Sequence, residues 1–385
     1  MNKDKALFRL EREKLLLTGE IPRLFMKYAL PGVAGLLFLG IQSVIDGIVL
    51  GRFVGANALA SVNLVLPCYS LISAFAIVMG IGGQTLVSIS LGRGDKQEAN
   101  NALRSVFVFL LGMSVVVSLV IFLSAGKIAS FLGANEVLLP DAVHYIRALV
   151  PFFPLLCAMF FGDYIIKAMG HPLYATSVMG ITVVLNIVLD LVFVAVLGWG
   201  VMGAGLATGI AFTMGACFNV PRLFSRHEVV AVQRGRYDRR LVWNAFYNGS
   251  SEGMSELSVA ITVFLFNITM MRYLGESGVA AFTAINYILF IGTTVFLGIS
   301  DGIIPIIGYN YGARQQERIK SILKLAARTN SLIGIGLFLL LLLFGEQVIG
   351  LFFKDHGSEA FEIASRGVSI YCFAFLLCGL NILAS

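Results

Sequence analysis

Ten apolar stretches in series, each near or above ~20 residues, leave this chain almost nowhere to fold except inside a bilayer. They lie near 24–50, 58–91, 103–124, 140–168, 172–197, 201–224, 242–271, 279–305, 321–344 and 362–385. A helix of about 20 residues crosses a hydrocarbon core of ~30 Å, and it satisfies its backbone hydrogen bonds within itself. One such stretch could be the core of a soluble domain; ten in series could not. The charged fraction is 13%, where a soluble domain carries about a quarter. The expected fold class is therefore all-α, a polytopic helical membrane protein.

The chain also repeats itself. GRFVGANALA from Gly51 and MRYLGESGVA from Met271 align without a gap at an offset of 220 residues. Arg52 pairs with Arg272, Phe53 with Tyr273, Gly55 with Gly275 and Ala60 with Ala280. The register runs on through the next apolar span, so that Gly82 meets Gly302 and Gly92 meets Gly312. Each copy then opens into a polar connection, GRGDKQEANN at 92–101 and GARQQERIKS at 312–321. Internal duplication of apolar spans is a common plan for membrane transporters.

Lysine and arginine orient the spans. With the N-terminus inside, 22 of the 28 basic residues fall on the cytoplasmic side, as the positive-inside rule expects. The net charge of +6 is then a topology signal and not a nucleic-acid footprint. Residues 3–27 are charged and amphipathic, without a cleavage-site pattern, and 1–23 read as an interfacial cytoplasmic segment. An amino-terminal lobe of six helices is expected over 24–225, a basic cytoplasmic connection over 226–240 and a carboxy-terminal lobe over 241–385. Six spans precede the connection, so the two lobes are parallel repeats about an axis along the membrane normal, with a cavity between them. The second lobe has four spans and the chain stops at Ser385 within an apolar run. Two further helices are expected beyond it, making these ten of twelve. The five cysteines and four histidines lie scattered and imply no metal site.

Polar residues inside the spans point to function, because a carboxylate at the bilayer centre costs roughly 2.5–3.5 kcal/mol. Asp46 lies near the outer end of span one. Asn186 and Asp190, four apart in span five, share a helix face. Thr208 in span six and Tyr145 in span four fall at similar depth, roughly 7–10 Å below the outer surface at ~1.5 Å per residue. No lysine or arginine occupies that depth, so a single cation-coupling pocket is expected. The second half offers Glu252 and Glu256, again on one face. Two like charges there repel, so one is expected to be protonated or to hold a cation. Asp301, in GISDGIIPIIGYNYG, is a further candidate near the cytoplasmic exit. Asp163 and Lys167, four apart, read as an intrahelical ion pair. Pro31, Pro67, Pro151, Pro154 and Pro305 each remove a helix hydrogen bond and permit a bend.

Four local features together resemble the MATE (multidrug and toxic compound extrusion) family. They are Asp46 in span one, Asn186 with Asp190 ahead of GWGVMGAGLATG, LGRGDKQEANNA between spans two and three, and PIIGYNYGAR at 305–314. The resemblance covers nearly all of the chain. It implies twelve helices in two lobes enclosing a V-shaped cavity, and export of cationic and amphipathic organic compounds in exchange for protons or sodium. In the bacterial and archaeal branch that this chain looks most like, residues matching Asp46, Tyr145, Asn186, Asp190 and Thr208 form an amino-lobe site. Another branch places an acid on the tenth helix; here that helix reads GVSIYCFAFLLCGLNILAS and has none.

The expected function is antiport by alternating access, with Asp46 and Asp190 binding H+ or Na+ and no other cofactor. Small organic cations would be the substrate and the lipid bilayer the surroundings, with no nucleic acid and no obligate protein partner. The rival within the superfamily is a flippase for lipid-linked oligosaccharides, which would call for basic groups in the cavity. An enzyme would need a metal cluster or a nucleophile–base pair within the spans, and none is apparent.

Overall fold

The computed structural model describes residues 15–353 and 357–384, apart from the side chains at 56, 256, 257, 260, 264 and 276. The expected interfacial segment at 1–23 falls mostly outside them. Among the described residues, twelve α-helices run from Ile21 onward: α1 Ile21–Phe53, α2 Ala56–Gly92, α3 Lys96–Leu123, α4 Ala125–Phe131, α5 Leu139–Leu149 and α6 Phe153–Ala168. Then come α7 Pro172–Asp190, α8 Gly200–Leu223, α9 Arg239–Gly312, α10 Gln316–Gly350, α11 Glu359–Tyr371 and α12 Ala374–Ala384. The expected all-α polytopic class stands. Among the described residues eight helices are long and apolar enough to span a bilayer, and α11 with α12, bent by 56°, form a ninth. α9 is two limbs that meet at the non-helical Gly275; the limb before it contains the shorter apolar helix Ile261–Gly275.

The 220-residue offset is built into the backbone. α2 ends at Gly92 and α3 starts at Lys96, while α9 ends at Gly312 and α10 starts at Gln316. The two turns share their hydrogen bonds. Arg93 N donates to Ile89 O (3.0 Å) and Asp95 N to Ser90 O (2.9 Å); Ala313 N donates to Tyr309 O (3.0 Å) and Gln315 N to Asn310 O (2.8 Å). Both turns need one left-handed residue to close the helix end. Gly94 takes it at φ 81 in the first copy, and Arg314 takes it at φ 59 in the second.

Contacts divide the chain into two compact units. The first holds 38–253 and 304–315 with the described residues up to 19; the second holds 20–37, 254–303 and the chain from 316 onward. In the first, α6 is the most deeply buried helix, with Phe153, Met159, Phe161 and Ile165 all inside. Phe161 packs against Phe107 of α3 with tilted rings at 5.7 Å, which ties the helices that frame the site. In the second, Phe296, Leu341, Ala364 and Phe375 form the core.

Within the first unit the ends of α2 and α9 cross with their backbones almost touching. Gly92 lies against Tyr309, and Gly312 against Ile89, while Gly308 lies against Ser88. Each pair is related to its partner by the same offset, so the crossing is isologous: residue i meets j, and the counterpart of i meets the counterpart of j. The chain that follows α8 is also anchored here. Asn100 Oδ1 accepts from Ala231 N (2.7 Å), Asn101 Oδ1 from Arg236 N (2.7 Å) and Ser105 Oγ from Asp238 N (2.8 Å). The asparagines of GRGDKQEANN thus supply acceptors to a connection whose own secondary structure is one short 3-10 turn, Val232–Arg234.

Candidate functional site

The apolar context makes every polar side chain between the helices costly unless it is paired. One cluster in the first unit breaks that rule. Asp46 on α1 and Asp190 at the end of α7 stand close enough for their carboxyls to interact. One turn before each stands an amide: Gln42 approaches Asp46, and Asn186 approaches Asp190. Asp190 is 1% exposed and Asn186 fully buried. Asn186 Nδ2 donates to Thr208 Oγ1 of α8 at 3.4 Å. Tyr145 of α5, also buried, stands close enough to interact with both carboxyls.

Five oxygens of this cluster are buried and accept no hydrogen bond: Gln42 Oε1, Asp46 Oδ1, Asn186 Oδ1 and both carboxyl oxygens of Asp190. All five are acceptors, and no salt bridge reaches either acid among the described residues. Two carboxylates this close repel unless something positive lies between them. A proton shared by the pair, or a small cation that draws on the amide oxygens as well, would relieve the deficit.

Local sequence explains the placement. α7 is regular to Asp190, and Leu191–Val196 then form a π-helical turn. Such turns inside helices are frequent at functional sites, where they redirect the side chains beside them. The glycines of GWGVMGAGLATG bring α8 close: Gly203 packs on Phe193 and Gly205 on Ala148.

The five residues expected in one pocket, Asp46, Tyr145, Asn186, Asp190 and Thr208, do come together. Gln42 was not anticipated; its i, i+4 spacing to Asp46 could have pointed to it. Tyr69, half-buried and interacting with Asp46, was missed as well, because α2 carries no acid to draw attention. Glu252 and Asp301 are half-buried at separate points of α9, and the Glu256 side chain lies outside the described residues. No group of three or more His, Cys, Asp or Glu that could hold a metal ion occurs among the described residues. Lys167 and Asp163 form the intrahelical pair at 2.5 Å.

Fold and site together define a polytopic helical membrane protein that keeps two facing acids inside its membrane-spanning bundle. The chain belongs to the MatE family, whose model matches residues 31–192 and 253–385. It is similar to the multidrug export protein MepA of Staphylococcus aureus strain MSSA476, 22% identical over 383 residues, covering 99% of this chain and 83% of the relative. MepA of Staphylococcus saprophyticus is 22% identical over 355 residues, 92% of this chain and 77% of the relative. Among solved structures, a MATE in complex with MaD3S matches with TM-score 0.89 at 24% identity over 96% of this chain and 83% of that one. The outward-facing conformation of a multidrug resistance MATE family transporter matches with TM-score 0.89 at 24% identity, covering 96% and 82%. These likenesses fix the fold.

Proposed function

We propose that the chain is a secondary active multidrug efflux transporter that exports cationic and amphipathic organic compounds by antiport against H+ or Na+. Asp46 and Asp190 hold the coupling cation, Gln42 and Asn186 contribute oxygens, Thr208 orients Asn186, and Tyr145 closes the site. The single observation that carries this reading is the pair of facing acids, buried with orphaned oxygens and no basic partner among the described residues. Similarity to multidrug export proteins along almost the whole chain supports the direction and the substrate class.

Coupling follows from differential affinity. A cation drives a conformational change only as far as it prefers one state over the other. Filling the site removes the repulsion between Asp46 and Asp190, which lets α1 and α7 approach; emptying it restores the repulsion. The amino terminus and the two repeat-related turns lie on the cytoplasmic side. The crossing of α2 with α9 then closes the passage at that face, and it must part when substrate enters. A lipid-linked oligosaccharide flippase would need basic groups where these acids stand. The chain works as a transporter in the plasma membrane and not as an enzyme.

The test is dye efflux from a pump-deficient host that expresses the chain, Asp46→Asn or Asp190→Asn, with the sodium and proton gradients collapsed in turn. Both variants reach the membrane at normal abundance and export nothing, and one gradient alone sustains the parent chain. Normal ethidium efflux by both variants would overturn the assignment.

A further inference from the structure

A cavity lies outside the acid cluster, between α2, α3 and α4, with α6 as its floor. Its volume is about 360 Å³, inside the ~300–1,000 Å³ range of small-molecule sites. Leu71 and Phe75 of α2, Val117 and Ile121 of α3, Phe131 of α4 and Cys157 of α6 make its walls. Ser114 supplies its one hydroxyl, and that hydroxyl donates to Leu111 O of its own helix at 2.9 Å. A trapped water needs two to four good polar partners, and besides Ser114 this wall offers only the weakly polar thiols of Cys68 and Cys157. Only hydrocarbon fits such a lining.

The surroundings say where the hydrocarbon comes from. On α3, Val117 and Ile121 border a stripe of exposed apolar side chains formed by Met113, Val116 and Val120, the face a spanning helix turns to lipid. Two wall residues at the mouth are themselves largely uncovered, Leu71 at 73% and Phe131 at 89%. α3 ends at Leu123, so α4 lies at the membrane boundary. Exposed Lys127 sits four residues before Phe131 on α4, on the same side of the helix as the mouth. A basic head at the boundary above an apolar slot matches a phospholipid: phosphate outside, acyl chain within.

We propose that this cavity is a phospholipid site that takes one acyl chain between α2, α3 and α4 and pairs the lipid phosphate with Lys127. The bound chain braces α2, the helix that also carries Tyr69 and ends in the crossing with α9. The proposal depends on the bilayer setting alone and not on the transported substrate.

The experiment uses the full chain in nanodiscs of phosphatidylglycerol containing a phospholipid with a photoactivatable diazirine in its tail. After illumination, adducts are mapped by peptide mass spectrometry. Adducts concentrate on 67–75 and 114–132, in excess of the exposed apolar face of α10 around Leu332 and Leu343. Val117→Trp, which fills the slot from its rim, lowers them about tenfold, and Lys127→Glu lowers them in phosphatidylglycerol. Ile121→Phe serves as a second filling variant should the first fail to accumulate. Adducts spread evenly over all lipid-facing helices would overturn the proposal. So would labelling that survives both fillings, or labelling displaced by ethidium and not by excess unlabelled phospholipid.

Discussion

Adding one methyl group at Gly312 should pull apart the crossed ends of α2 and α9. A Cβ there would lie 2.9 Å from Arg93 N and 3.0 Å from the carbonyl carbon of Gly92, and nearer still to Ile89 O. Ordinary contacts between such atoms run about 3.5–4.0 Å, so the helices must separate by ~0.5–1 Å. The opposing atoms are backbone within a helix and cannot rotate away. Overpacking of this kind costs ~1–3 kcal/mol. A conformation in which these ends have parted is spared that cost, so the penalty converts into a population shift of about 5–150-fold. Gly92→Ala should act alike, because its Cβ would fall 2.8 Å from the Tyr309 carbonyl carbon. Gly336→Ala is the control, since a Cβ there meets nothing within 4 Å. The assay is the distance between spin labels at Arg93→Cys and Tyr311→Cys in an otherwise cysteine-free chain. Both alanine variants should move the distribution toward longer distances, and the control should not. If both keep the parental distribution, the crossing is not the seal and the reasoning fails.

Two further outcomes bear on stability. Lys167→Met strands Asp163, which is 4% exposed, and should lower stability by ~3–5 kcal/mol, whereas the double change with Asp163→Leu recovers most of it; thermal unfolding in detergent reads both. Asn100→Ala orphans the buried amide of Ala231 at ~1–3 kcal/mol, and with Asn101→Ala, which releases the exposed amide of Arg236, limited proteolysis should cut within 226–238 faster than in the parent chain.

Particular residues show where sequence reasoning reached. The run of apolar spans was enough for the class, because a bilayer tolerates so few backbone solutions. The 220-residue offset read from the sequence recurs in the backbone, where the paired turns at Gly94 and Arg314 add detail the repeat alone did not give. Asp46, Asn186, Asp190, Thr208 and Tyr145 could be grouped beforehand, since depth along a spanning helix is a matter of counting residues. Gln42 escaped although it stands one turn before Asp46, and Tyr69 escaped because α2 carries no acid beside which to place it. The π-helical turn after Asp190 also escaped: LVFVAV reads like any other apolar run, and only packing against α8 decides its hydrogen bonding.

By itself, then, the sequence determined what lies at which depth, since length and polarity are properties of single helices. Which helices touch was decided by tertiary structure alone. Gly92 meeting Tyr309, the asparagines of α3 clasping the chain after α8, and a lipid-sized hollow beside Lys127 all depend on azimuth and close packing. Those arise only when faces from distant parts of the chain meet.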